Sequence, residues 1–280
     1  MNAIKSEVRK TFTTKMWWAL LIPITLISML ANAFGGLFEN VVDVGDIPVA
    51  LPSLLPISLS LTLNQLVVFA AVAGTIAAAG EFRHRTITTT YLVNSGRGAV
   101  LTAKLLIAAA LGALYGLVAS AAGSMVGLLA QEAKPDAADL LVTILVGVVV
   151  FALWGVVGAG VGLAVGNQVG ALLVVLIYLL VGEQIISVAL LNADSVAVNE
   201  LSGYLPGNAG DVAVVTEPAR GFAELIPSEV AGENAGNQLV EALTGVTNPP
   251  SSVVSLLILS VWTAVAVGLA AFFSGRRDIT

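Results

Sequence analysis

The chain has 280 residues, 57% of them hydrophobic and only 11% charged, against roughly 25% charged in an ordinary soluble domain. That composition belongs to a membrane protein. Cysteine is absent and His84 is the one histidine, which excludes disulfide frameworks, thiolate metal sites, cysteine nucleophiles and multi-histidine metal centres. The net charge is −6, from 12 Lys and Arg against 18 Asp and Glu, and the position of each charge says more than the total.

A helix rises 1.5 Å per residue and the hydrocarbon core is ~30 Å thick, so about 20 apolar residues make one crossing. Six crossings follow. The first runs from about Trp17 to Phe38 and contains Pro23, which a membrane helix tolerates when neighbours satisfy the freed carbonyl. Pro48, Pro52 and Pro56 break the next charge-free interval, so the second span starts near Ile57 and ends near Ala79. The third extends from about Leu105 to Leu129. Between Leu140 and Gly182 lie 43 residues without a charge, too many for one crossing and suited to two. The break falls at Gly166-Asn167-Gln168-Val169-Gly170. The last crossing runs from about Ser251 to Ser274, between Pro249-Pro250 and Arg276-Arg277.

With the N-terminus in the cytoplasm, the cytoplasmic segments are residues 1–16, about 80–104, the turn near 167 and the tail after 274. They hold ten of the 12 cations, whereas 14 of the 18 acids fall on the other side. The positive-inside rule therefore places both termini in the cytoplasm. Basic residues, an apolar run and Ala31-Asn32-Ala33 also imitate a secretory signal. The basic region is too long for one and the apolar stretch continues past the site, so retention is expected. Residues 1–16 read as an interfacial amphipathic helix with Ile4, Val8 and Phe12 on one face and Lys5, Arg9, Lys10 and Lys15 toward headgroups. A flexible basic flank that only sets orientation is the alternative.

The segment from about 192 to 248 is the one long aqueous connection, with many acids and a single cation, Arg220. Apolar clusters such as Val212-Ala213-Val214-Val215, separated by Pro206, Pro218 and Pro227, suggest short helices folded on the outer mouth. A substrate gate and a solvated loop without a binding role both fit. Glu183, beside Gln184 in the fifth span, is an intramembrane acid and so a functional candidate, or an interfacial carboxylate reached by water. Asn64, Gln65 and Thr75 in the second span serve either helix packing or an aqueous path. Gly155, Gly158, Gly160, Gly162 and Gly166 suit a packed bundle or a dimer seam.

The most distinctive stretch is the connector after the second span: Glu81-Phe82-Arg83-His84-Arg85-Thr86-Ile87, then Leu92, Asn94-Ser95-Gly96-Arg97 and Lys104. Glu81 and Arg85 are four apart and able to pair if the segment is helical. The pattern resembles the permease subunits of type-2 ABC exporters, in which an acid leaving the second span precedes a Thr-aliphatic step, a Leu, a small-residue-Arg turn and a Lys opening the third span. Glu81, Thr86-Ile87, Leu92, Ser95, Arg97 and Lys104 match. Arg85 stands where glycine is common, and the turn lacks the usual proline. The resemblance implies a homodimeric permease in a bacterial plasma membrane. Glu81, Phe82, Arg83, Arg85 and Thr86 would then form the element seated on a cytoplasmic ATP-binding subunit, which carries the ATP and Mg. Substrate-path candidates are Asn64, Gln65, Glu183 and Gln184.

No Gly-x-x-x-x-Gly-Lys-Ser/Thr loop exists in the chain, so it does not bind ATP that way and is not expected to be an enzyme itself. An intramembrane enzyme lacks its motifs: there is no His-Glu-x-x-His, no Gly-x-Ser-x-Gly and no metal-holding acid cluster. An ion-coupled carrier calls for ionisable groups near the midplane, a condition only Glu183 approaches. The expectation is an all-α, six-span exporter permease whose apolar spans suit an amphipathic drug, peptide or lipid-like substrate. The alternatives are an ion-coupled carrier or a non-transporting immunity or assembly partner.

Overall fold

The computed structural model describes residues 3–41, 53–83, 96–193, 195–225 and 234–276, and every regular element among them is helical. The helices are α1 (Ala3–Thr13), α2 (Met16–Val41), α3 (Leu55–Arg83), α4 (Arg97–Ala130), α5 (Ala137–Val165) and α6 (Gln168–Leu191). They continue with α7 (Val196–Asn199), which runs into a 3₁₀ turn at Glu200–Tyr204, then α8 (Pro206–Glu224), α9 (Ala235–Thr244) and α10 (Ser252–Arg276). Six of them, α2 to α6 and α10, are long and apolar enough to cross a membrane. The chain is thus an all-α, multi-pass membrane protein with an amphipathic helix before the first span. Its cation-rich and acid-rich sides are called here the basic and the acidic end.

The span boundaries follow local chemistry. Pro56 sits in the first turn of α3, where its missing N–H breaks no helix bond. Pro48 and Pro52 lie outside the described residues. The helix that carries the third span begins at Arg97, ahead of the expected crossing from Leu105, because nothing between Gly98 and Lys104 interrupts a helix. The connector is correspondingly shorter. At the turn between α5 and α6, Gly166 takes a left-handed conformation (φ 67°) that closes α5. Asn167 then caps α6 by accepting from the N–H groups of Val169 and Gly170 at 3.0 and 3.2 Å.

The centre of the bundle is α5, which packs on α3, α4 and α10. Its glycines set the spacing. A Cβ at Gly158 would lie 2.0 Å from the Ala71 carbonyl oxygen, and one at Gly155 2.4 Å from that of Ala108. Gly160 lies against Ala266 of α10, and Gly162 against the Thr75 backbone. These small residues are therefore used within the chain. Thr75 is fully buried and donates to the carbonyls of Ala71 and Gly158 at 2.8 and 3.0 Å, so its hydroxyl serves packing between α3 and α5.

The connection between α6 and α10 is helical as expected, but it enters the bundle instead of resting on its mouth. The Tyr204 carbonyl accepts from Trp262 Nε1 at 2.9 Å, and Trp262 lies ten residues into α10, about 15 Å along its axis. From there α8 climbs back past Ala213, whose carbonyl accepts from Ser252 at 2.7 Å. It passes close to Asp139 at the start of α5. Ala209, Ala213 and Val214 join the main core with Trp154 and Leu259. Pro206 opens α8, and Pro218 lies inside it instead of ending it; Pro227 is outside the described residues. The insertion follows from burial, since Val212 to Val215 are all removed from solvent.

Close backbone approach makes a specific demand on α5. Gly158→Val must push two helices apart, so it abolishes accumulation of monodisperse protein in detergent. Gly268→Val, at a position where an added Cβ meets nothing within 4 Å, leaves size-exclusion behaviour and yield unchanged.

Candidate functional site

At the basic end four charged side chains from three helices form one network. Glu7 of α1 accepts from Lys10 at 2.7 Å and from Lys104 of α4 at 3.0 Å. Glu81, near the end of α3, pairs with both Lys10 and Lys104, the latter at 3.2 Å. Three of the four are nearly withdrawn from solvent: Glu7 is 5% exposed, Glu81 7% and Lys104 2%. Burial disfavours the Lys10 ammonium, but the hydrogen bonds and charges of Glu7 and Glu81 outweigh it and raise its pKa above the ordinary 10.5. Lys10 is therefore charged at neutral pH. The remaining oxygen of Glu81, Oε2, is buried and has no hydrogen-bond partner among the described residues.

This network holds α1 so that Glu7 faces the bundle and Ile4, Val8 and Phe12 stay exposed. The outward apolar face is the one expected to meet lipid. Beside the network lies a cavity of about 680 Å³, walled at its polar end by Glu7, Lys10, Thr11, Thr14, Glu81 and Arg83. Deeper in, Leu20, Ala73, Ile76, Ala77, Leu111 and Tyr115 line it. Tyr115 is fully buried and donates to the Trp17 carbonyl at 2.8 Å, fixing α4 to the start of α2.

Of the expected docking residues, Glu81, Phe82 and Arg83 close α3. Phe82 packs on the small cluster formed by Ala78, Ala108, Ala159, Leu163 and Ala270, and Arg83 is exposed. Arg85 and Thr86, with the connector from His84 to Ser95, lie outside the described residues. Glu81 takes Lys10 and Lys104 as partners. The sequence does not single out Glu7, because one acid within a basic amphipathic segment carries no signal of its own; only its spacing of three from Lys10 hints at a pair.

At the acidic end Glu183 is 2% exposed and caps α8. Its two oxygens accept from the N–H groups of Gly207 at 2.9 Å and Asn208 at 2.7 Å. Negative charge at a helix N-terminus is favourable, and two otherwise unpaired donors are satisfied. Gly207 is needed there, since a Cβ would stand 2.5 Å from Oε2. Asn208 completes the contact by donating to Ser187 Oγ at 2.9 Å and to the Ser202 carbonyl at 2.8 Å. Just before Glu183, Tyr178–Gly182 forms a π-helical turn.

The four path candidates therefore divide. Asn64 reaches toward α8 with a long contact, 3.5 Å, to the Asp211 carbonyl, and its Oδ1 is buried without a partner among the described residues. Gln65 and Gln184 are exposed on the outside of the bundle.

No protein-family model matches the chain, and no curated protein matches it. The exporter resemblance thus rests on the residues of this chain.

Breaking a buried ion pair from one side costs about 3–5 kcal/mol, because an unpaired charge is left behind. Lys104→Met should accordingly lower the melting temperature in detergent and expose the α1 segment to protease. Adding Glu7→Gln, which restores charge balance around the Glu81–Lys10 pair, should recover most of that loss; additive losses would show that the network is not coupled. At the other end, Glu183→Ala should cost about 1–2 kcal/mol through the lost cap, with Glu183→Gln intermediate. Protease cleavage within α8 would report it.

Proposed function

We propose that this chain is the membrane subunit of an ATP-driven exporter, with its basic end in the cytoplasm and its connector seated on a separate ATP-binding subunit. The observation that carries this reading is the place of Glu81. It ends the second span, begins the stretch that resembles the exporter docking element, and is fixed by charge to α1 and to the opening of the third span. The helix ends on either side of the connector are thereby held to each other and to α1.

Two exposed amides support a second copy of the chain. Gln65 lies ten residues into α3, about 15 Å deep, and Gln184 sits seven residues before the end of α6, at about 10 Å. Lipid cannot satisfy an amide at these depths. A facing protomer or a water-filled path between two protomers can. The substrate class that suits such a path is an amphipathic drug, peptide or lipid-like molecule.

The test is co-expression of the tagged chain with its genomic neighbours, purification in mild detergent and mass spectrometry of what accompanies it. An ATP-binding subunit at equal stoichiometry, hydrolysing ATP only with the membrane chain present, is the expected result. Arg85→Glu should then lower transport per ATP severalfold at normal expression. Arg85 is a better probe than Glu81, whose removal also disturbs the buried network. Purification of a stable chain without any ATPase would move an immunity or assembly partner, or an ion-coupled carrier, ahead of the exporter.

A further inference from the structure

The cavity beneath α1 is amphipathic along its length, and its charge decides what fits. On α3 its wall runs from Arg83 to Ala73, ten residues or about 15 Å, which is about one leaflet of a ~30 Å hydrocarbon core. The polar end is at the level of Trp17 and the basic end of the bundle, and the apolar end approaches mid-depth. Glu7 and Glu81 are neutralised by Lys10 and Lys104. Arg83 is therefore a surplus cation on the wall, with no ion pair among the described residues. Lys5, Arg9 and Lys15 add positive charge on and just after α1. A cationic amphipath would be repelled from this end.

We propose that the cavity holds one anionic phospholipid from the leaflet at the basic end, with its phosphate toward Arg83, Thr11 and Thr14 and an acyl chain along Leu20, Ile76 and Leu111. The chemistry is thus that of an anionic phosphate headgroup above an acyl chain, as in phosphatidylglycerol. The site does not depend on the exporter reading, because it needs no ATPase.

The experiment uses the full chain in mild detergent, incubated with mixed micelles holding equal amounts of phosphatidylglycerol and phosphatidylcholine, with bound lipid counted by native mass spectrometry. One phosphatidylglycerol per chain is expected, retained about tenfold over phosphatidylcholine. Arg83→Glu should reduce phosphatidylglycerol retention about tenfold without touching the fold, since the side chain is exposed. Gly80→Trp projects from a cavity-lining position where an added Cβ meets nothing within 4 Å, and should remove retention from a particle of unchanged size. Equal retention of the two lipids, or phosphatidylglycerol binding that survives both variants, would overturn the proposal. So would a lipid-free dimer, which would assign the cavity to a second copy.

Discussion

The arrangement of the basic end depends on four charges that cannot be separated cheaply. Each charge taken out of water costs several kcal/mol, and that cost is offset only when an opposite charge is held close with its hydrogen bonds made. Glu7 and Lys104 are both nearly fully buried, and each lies within 3.0 Å of the other. Their pairing therefore requires α1, the end of α3 and the start of α4 to arrive together. The rotation of α1 follows from this: Glu7 must turn inward, which sends Ile4, Val8 and Phe12 outward. The cavity follows as well, because Glu7, Lys10, Thr11 and Thr14 of the N-terminal segment form one of its walls.

The acidic end solves the same problem without a cation. Glu183 is more deeply buried than Glu81, yet its partners among the described residues are the first backbone N–H groups of α8 and the Tyr178 hydroxyl, with no ammonium. The partial positive charge of a helix N-terminus does the work of a counter-ion. Two local features make the contact possible. The π turn at Tyr178–Gly182 adds a residue to one turn and so offsets the faces on either side of it; Glu183 points inward while Gln184, Ile185 and Ile186 point out. Gly207 lacks a side chain and lets the carboxylate approach. An intramembrane carboxylate at this position is thus a structural anchor for the inserted helix, whatever path lies beside it.

How much of this was legible in the sequence depends on which force dominates each element. The six spans were, because hydrocarbon exclusion acts on every residue of a long stretch and leaves charge-free lengths. The turn at Gly166 and Asn167 was also legible, since its residue types are specific to a helix stop and a cap. The insertion of α8 was not: Asn208, Asp211 and Glu217 give its segment the composition of an aqueous loop, and its burial comes from tertiary packing on Trp154 and Leu259. The network at the basic end was half legible. Glu81 and Lys104 stood out through the exporter-like pattern, but their meeting with Glu7 and Lys10 is a contact across nearly a hundred residues of sequence, with no local signal.

The two ends also differ in what they leave free to move. Glu81 and Lys104 bracket the connector, one near the end of α3 and the other within the first turns of α4, and both belong to the same buried network. A force on the connector cannot shift α3 against α4 without breaking pairs worth several kcal/mol, so the two spans and α1 respond as one body. On the exporter reading, closure of a partner ATPase would tilt that body as a unit. The α5 glycines make the next contact equally stiff, because backbones already at contact distance have no slack to take up. Packing is least complete at α2 and α6, whose membrane-length segments are each only 17% buried within the chain. Those are also the spans whose surfaces lipid or a second protomer must cover, and α6 carries Glu183 and through it the inserted helix.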